Sequence, residues 1–290
     1  MGALFGPGGN SASFYNDGCK STFQAPEWVK QKGLDAYEYE GGQGIRGSEE
    51  TFIKIGDEAE KHKIKLSVHA PYFISLSSVE EEKRKNSAKY FIDSARCAKL
   101  MRAETIVIHA GSTAKLERNV ALDYAKEALL YAIEQLQAEN LYDGVLLGIE
   151  TMGKVNQLGT LDEVIEMCKV DKNVRPVVDF GHMNAREMGG FFNTADDYKR
   201  VFDRIATELC PEYADRLHCH FSKIEYTKGG EKRHLTFTDT QYGPDFEPLM
   251  KAIADLGVSP TIICESDGTM AEDALAMKNE YNKYLDRGSI

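Results

Sequence analysis

The chain has 290 residues, 42% of them hydrophobic and 28% charged, with a formal net charge of −11 at pH 7. That is enough apolar content for a full core, and no apolar run reaches the ~18 residues of a bilayer span. The acidic balance argues against broad, nonspecific attraction to nucleic acid, which needs a basic surface, although bound divalent cations would reverse the sign locally.

The N-terminus, Met1-Gly-Ala-Leu-Phe-Gly, has neither the basic nor the apolar region of a secretory signal. The six cysteines, Cys19, Cys97, Cys168, Cys210, Cys219 and Cys264, are scattered and form no C-x-x-C pair. They read as reduced thiols rather than a disulfide framework. The expectation is a cytoplasmic monomer with no membrane partner.

Along the chain, short β-rich runs alternate with helical patterns. The predicted strands are Leu4–Phe5, Ala36–Glu40, Lys65–His69, Thr105–His109, Val145–Glu150, Pro176–Asp179, Arg216–Phe221 and Thr261–Glu265. Between them, Leu122, Ala125, Leu129, Ala132 and Leu136 step by three and four, as do Tyr198, Val201, Phe202, Ile205 and Leu209. Such spacing lays one apolar stripe against a sheet. Thr160 and Glu163 form a capping-box start for the helix carrying Val164, Ile165 and Cys168. Runs such as Thr105-Ile-Val-Ile are apolar throughout, as strands covered on both faces must be. Eight β-α units indicate an α/β (β/α)8 TIM barrel spanning the chain as a single domain. Gly6, Gly8 and Gly9 lack the G-x-G-x-x-G spacing of a dinucleotide fold and read as the first strand-to-helix loop. Ile224 to Asp245, rich in Gly, Thr and charge, is the one insertion-like segment.

Six strands end in, or near, a potential metal ligand: His69, His109, Glu150, Asp179 with His182 beyond it, His218 and His220, and Glu265. In a barrel all these ends meet on one face. A lone strand-end carboxylate reads as the N-cap of the next helix. Six ionisable ends on one rim need another reason, and shared divalent ions supply it. Histidine with carboxylate and no thiolate suits zinc, manganese or iron. His218 and His220 alternate with Leu217, Cys219 and Phe221 and so share a face, which leaves open which of them is a ligand. Glu231 and His234 follow the seventh strand, within reach of the mouth. Two chemistries fit such a cluster. Several ions can activate water against a phosphoester, or one ion can polarise a sugar carbonyl while glutamates shuttle a proton.

The ordered set His69-Ala-Pro-Tyr72, Ile108-His-Ala-Gly111, Gly148-Ile-Glu-Thr-Met-Gly153, Val178-Asp-Phe-Gly-His182, Leu217-His-Cys-His-Phe-Ser-Lys223 and Cys264-Glu-Ser266 resembles the endonuclease IV family of apurinic/apyrimidinic endonucleases. These are xylose-isomerase-like TIM barrels. The resemblance implies a DNA-repair hydrolase with two or three zinc ions (manganese being the alternative metal) that cuts DNA 5′ to abasic sites. It implies one zinc on His69, His109 and a bridging Glu150. A second would take Glu150, Asp179, His218 and Glu265, and a third His182 and His234 with a preceding carboxylate. Glu150 and Glu265 would also orient the attacking hydroxide. Tyr72 matches an aromatic contact to DNA, and Arg46 in the second-strand loop is a candidate DNA contact. With His218 as the ligand, His220 is left to support a ligand or to contact substrate. The sequence departs from the family's Asp-x-His before the third site: Lys232 stands two residues before His234, and the nearest carboxylate is Glu231. The alternative is a sugar or sugar-phosphate isomerase or epimerase on the same barrel.

Overall fold

In the computed structural model, residues 2–113 and 116–287 are described. Eight parallel strands form the sheet: β1 (Leu4–Pro7), β2 (Ala36–Glu40), β3 (Lys65–His69), β4 (Thr105–His109), β5 (Leu146–Glu150), β6 (Val174–Asp179), β7 (His218–Phe221) and, after a hairpin of β8 (Lys223–Thr227) and β9 (Gly230–Leu235), β10 (Thr261–Cys264). Their order is β1-β10-β7-β6-β5-β4-β3-β2. The two ends meet through Asp35 N donating to Phe5 O at 2.8 Å and Gly9 N donating to Glu38 O at 2.9 Å. This seam explains Gly6, because a Cβ there would lie 1.7 Å from the carbonyl oxygen of Ala36. The fold is therefore the expected (β/α)8 barrel.

Strand bounds differ from expectation only at the edges. β1 runs on to Pro7, β6 begins at Val174, β7 begins at His218 rather than Arg216, and Glu265 lies just past β10. The insertion-like segment 224–245 lies largely in the antiparallel β8–β9 pair and the loop after it, with a bulge between Glu225 and Tyr226.

Outward-facing strand residues such as Val68, Ile106, Ile108, Leu147 and Ile149 are buried under the helix layer. Phe91, Ala95 and Ala98 of the helix Glu81–Met101, and Ala125, Leu129 and Ala132 of the helix Arg118–Ala138, cover them. Each such aliphatic side chain stabilises the fold by about 1.5–3 kcal/mol. The helix Leu161–Cys168 starts on the expected capping box of Thr160 and Glu163. Among the described residues no helix is long and apolar enough to cross a membrane.

Candidate metal centre

Strand ends of a barrel open on one face, and here they deliver a continuous group of imidazoles and carboxylates. A cavity of about 420 Å3 opens over His69, His109, Glu150, His182, His234 and Glu265. A neighbouring one of about 490 Å3 reaches Glu40, Tyr72, Glu231 and Asp267.

Three sets of ligand-type atoms converge there: His69, His109 and Glu150; Glu150, Asp179, His220 and Glu265; and His182, Glu231 and His234; a further set, Glu38, His218 and His220, lies beneath them. Glu150 belongs to the first two. His69 Nε2 and His109 Nε2 face Glu150 Oε2 at 3.5 and 3.3 Å. His220 Nδ1 faces Glu265 Oε1 at 3.4 Å, and His182 Nε2 faces Glu231 Oε2 at 3.4 Å. A tetrahedral zinc with ligand bonds of ~2.0–2.1 Å holds its ligand atoms about 3.3 Å apart. These four spacings match atoms arranged around an ion, while His220 Nδ1–Glu150 Oε1 at 3.0 Å and His182 Nδ1–Asp179 Oδ2 at 3.1 Å are closer pairs within the same group. Glu150 Oε2 and Asp179 Oδ2 are also buried without any hydrogen-bond partner. Such orphaned carboxylate oxygens are costly unless a cation meets them. The residues present therefore fit divalent ions.

Local structure sets these side chains. Asp179 ends β6 and caps the helix Phe180–Arg186, its Oδ1 accepting from His182 N at 2.8 Å. One oxygen is thus used as a helix cap, while the other accepts no hydrogen bond and faces the cluster, 3.1 Å from His182 Nδ1. Three rings meet a neutral group through Nδ1, His182 sharing that nitrogen with Asp179 Oδ2. His69 Nδ1 meets the Ala70 carbonyl at 2.9 Å, His182 Nδ1 the Thr151 carbonyl at 3.0 Å, and His234 Nδ1 the Ser222 hydroxyl at 2.8 Å. In each case Nε2 is left for the cluster. Tyr72, half exposed, stacks on His109 with ring centroids 5.0 Å apart and meets His69 edge-on.

The charges are interdependent. Burial opposes a negative Glu150, but His220, His109 and His182 around it hold its carboxyl well below the usual carboxylate range. Burial opposes a charged His69, yet Glu150 and Glu40 outweigh it and push the imidazole up to about 10. Burial, opposed by His220 and reinforced by Glu150 and Asp179, pushes Glu265 up to about 8. Burial lowers His109 and His234.

One sequence assignment changes place. His220, not His218, joins Glu150, Asp179 and Glu265. His218 lies deeper, its Nε2 2.9 Å from Glu38 Oε2. The reason is depth: both rings point into the barrel, but only the residue two positions nearer the carboxyl end reaches the mouth. Arg46 is exposed, and its carbonyl accepts from the Tyr39 hydroxyl at 2.6 Å. It lines neither mouth cavity. Two carboxylates that the sequence did not single out, Glu38 and Glu40, come from β2. The signal available was the run Ala36-Tyr-Glu-Tyr-Glu40, which places two carboxylates on one face of a strand buried on both sides.

Residues 26–281 match the family described as Xylose isomerase-like TIM barrel. The chain belongs to that family. An uncharacterized protein of Methanocaldococcus jannaschii is 32% identical to this family member over 265 residues, covering 90% of this chain and 92% of that one. A probable endonuclease 4 of Malacoplasma penetrans is 27% identical over 224 residues, 70% of this chain and 74% of that protein. Among solved structures, a D-tagatose 3-epimerase-like protein superposes with a TM-score of 0.71 at 19% identity, covering 99% and 100% of the two chains. Endonuclease IV from Thermus thermophilus gives 0.69 at 19% identity, covering 98% and 99%. These likenesses of structure show the shared fold and do not choose between the two activities.

Proposed function

We propose that this family member is a metal-dependent phosphodiester hydrolase that cuts DNA 5′ to abasic sites. The observation that carries the reading is the set of three adjoining clusters, two of them joined through Glu150. Proton transfer at a sugar carbonyl needs one ion and flanking carboxylates. The group Glu150, Asp179, His220 and Glu265 would serve that alone, and the sets at His69/His109 and His182/Glu231/His234 would have no task. Phosphoester hydrolysis uses several ions side by side. Relatives named probable endonuclease 4 support the same direction.

In this reading His69, His109 and Glu150 hold one ion, Glu150, Asp179, His220 and Glu265 a second, and His182, Glu231 and His234 a third. Bound there, zinc would polarise the phosphoryl oxygens and acidify water. Glu150 and Glu265 orient the attacking water between them by accepting its hydrogen bonds. Tyr72 offers an exposed ring face beside the cluster, suited to stacking on a sugar or base.

A second reading, a sugar epimerase, draws on the D-tagatose 3-epimerase-like neighbour and on Glu40 at the mouth, a carboxylate that repels phosphate. One experiment separates them. Purified protein loaded with zinc is assayed for bound metal and for incision of duplex DNA carrying an abasic analogue. We expect three ions per chain and incision that is abolished in Glu150→Gln. Loaded protein that leaves such DNA intact while exchanging solvent protons into a ketose would establish the epimerase instead.

A further inference from the structure

The mouth clusters leave one buried carboxylate unassigned. Glu38 sits in the middle of β2, fully buried, and lines neither mouth cavity. Its two oxygens are divided between partners. Oε2 accepts from Ser67 Oγ at 2.7 Å and faces His218 Nε2 at 2.9 Å. Oε1 faces His220 Nε2 at 2.9 Å. The other nitrogen of His220, Nδ1, turns upward to Glu150 Oε1 at 3.0 Å and Glu265 Oε1 at 3.4 Å. A single imidazole thus links the carboxylate below it to the cluster above.

Position, not distance, separates a ligand from a support. His220 stands 3.0 Å from Glu150 Oε1 through Nδ1 and 2.9 Å from Glu38 Oε1 through Nε2. Nδ1 is the nitrogen on the side of Glu150, Asp179 and Glu265, and Nε2 is the one turned away from them. Glu38 Oε1 and His220 Nε2 are both without a hydrogen bond, while Nδ1 of the same ring is paired with Glu150. A neutral imidazole carries one N–H. When a cation occupies Nδ1, that proton must sit on Nε2, where Glu38 waits for it.

The neighbouring rings make the contrast. His69 and His234 lean on a carbonyl and a hydroxyl oxygen, and His182 shares its Nδ1 between the Thr151 carbonyl and Asp179, whereas Nε2 of His220 faces a carboxylate that lines neither mouth cavity. A carboxylate behind a ligating imidazole raises its basicity and fixes its tautomer. The group above His220 already contains three carboxylates, Glu150, Asp179 and Glu265.

We propose that Glu38 is a positioning residue that locks His220 with Nδ1 toward Glu150, Asp179 and Glu265, and that this makes theirs the tightest of the three divalent-cation sites. Ser67 and His218 hold Glu38 in place from its other oxygen. The proposal rests on the metal-centre reading above.

The test uses the full chain as wild type, Glu38→Gln and Glu38→Asp. Zinc affinities are measured by competition with a chromophoric chelator, and the visible spectrum of the cobalt-substituted protein reports each site. In wild type the last ion released belongs to the His220 group. In Glu38→Gln that ion binds about 10–100-fold more weakly, its cobalt bands shift, and the other two ions are unchanged. Glu38→Asp retracts the carboxylate and shows a smaller change of the same sign, and it carries the test if Glu38→Gln does not fold. Wild-type affinities and an unchanged spectrum in a folded variant overturn the proposal. So does the clean loss of one additional ion with all others unaffected, which makes Glu38 a ligand itself. A wild type that takes up no ion at all refutes the metal-centre reading beneath it.

Discussion

His218 and His220 are two residues apart on one strand and chemically identical, yet they stand in different surroundings. His220 meets Glu150 and Glu265, while His218 meets only Glu38 among the carboxylates around it. Burial lowers His218, and the nearby carboxylates overcome burial to raise His220 well above the ordinary imidazole value. A ring surrounded by carboxylates is a ring placed for a cation. We therefore expect His220→Gln to remove one ion of three, read by elemental analysis after desalting. His218→Gln should keep all three, with at most about a tenfold loss in the affinity of one, the lower end for an outer support. The sequence could not make this choice, because period two puts both rings inside. What separates them is height along the barrel axis, which depends on strand tilt and stagger and so on every other strand. Glu38 escaped notice for a related reason. Its importance lies in register with Ser67 and in reach to β7, neither of which is local in sequence.

At the scale of elements, the apolar runs that became strands were legible because parallel strands buried on both faces have little freedom in composition. The residues ending them were legible because imidazole and carboxylate are conspicuous against that background. The hairpin β8–β9 was not, since Lys223-Ile-Glu-Tyr-Thr and Gly230-Glu-Lys-Arg-His-Leu are polar and half exposed. Yet the hairpin is what carries Glu231 and His234 to His182. Its seat is narrow. Glu231 N donates to Gly153 O at 3.1 Å, and a Cβ on Gly230 would lie 2.1 Å from that same oxygen. Gly230 also has φ +86°, a conformation that costs other residues about 1–3 kcal/mol. Gly230→Ala should therefore lift the hairpin while the barrel stands. The expected result is unchanged far-ultraviolet circular dichroism with two ions per chain instead of three. Retention of all three would show that the hairpin does not depend on this contact.

For the molecule as a whole, the mouth concentrates Glu40, Glu150, Asp179, Glu231 and Glu265, with Glu38 beneath them, in a chain whose formal charge is already −11. Histidines offset part of that charge: Glu38 and Glu150 are both held well below the usual range, against burial, by the imidazoles around them. The offset is incomplete, as the orphaned oxygens of Glu150 and Asp179 show. Ions that bind the folded chain and not the unfolded one stabilise it by mass action, about 4 kcal/mol per site at a thousandfold excess over Kd. For a protein of this size 1 kcal/mol corresponds to roughly 2 °C of melting temperature. Stripping the metal with a chelator should then lower Tm by roughly 5–10 °C for each tight site. Zinc should restore it. Magnesium should not, since it takes oxygen ligands and keeps its water, whereas each cluster here includes an imidazole. Scanning calorimetry with and without chelator reads this directly, and the same Tm in both would mean that the carboxylates at the mouth are balanced by the protein alone.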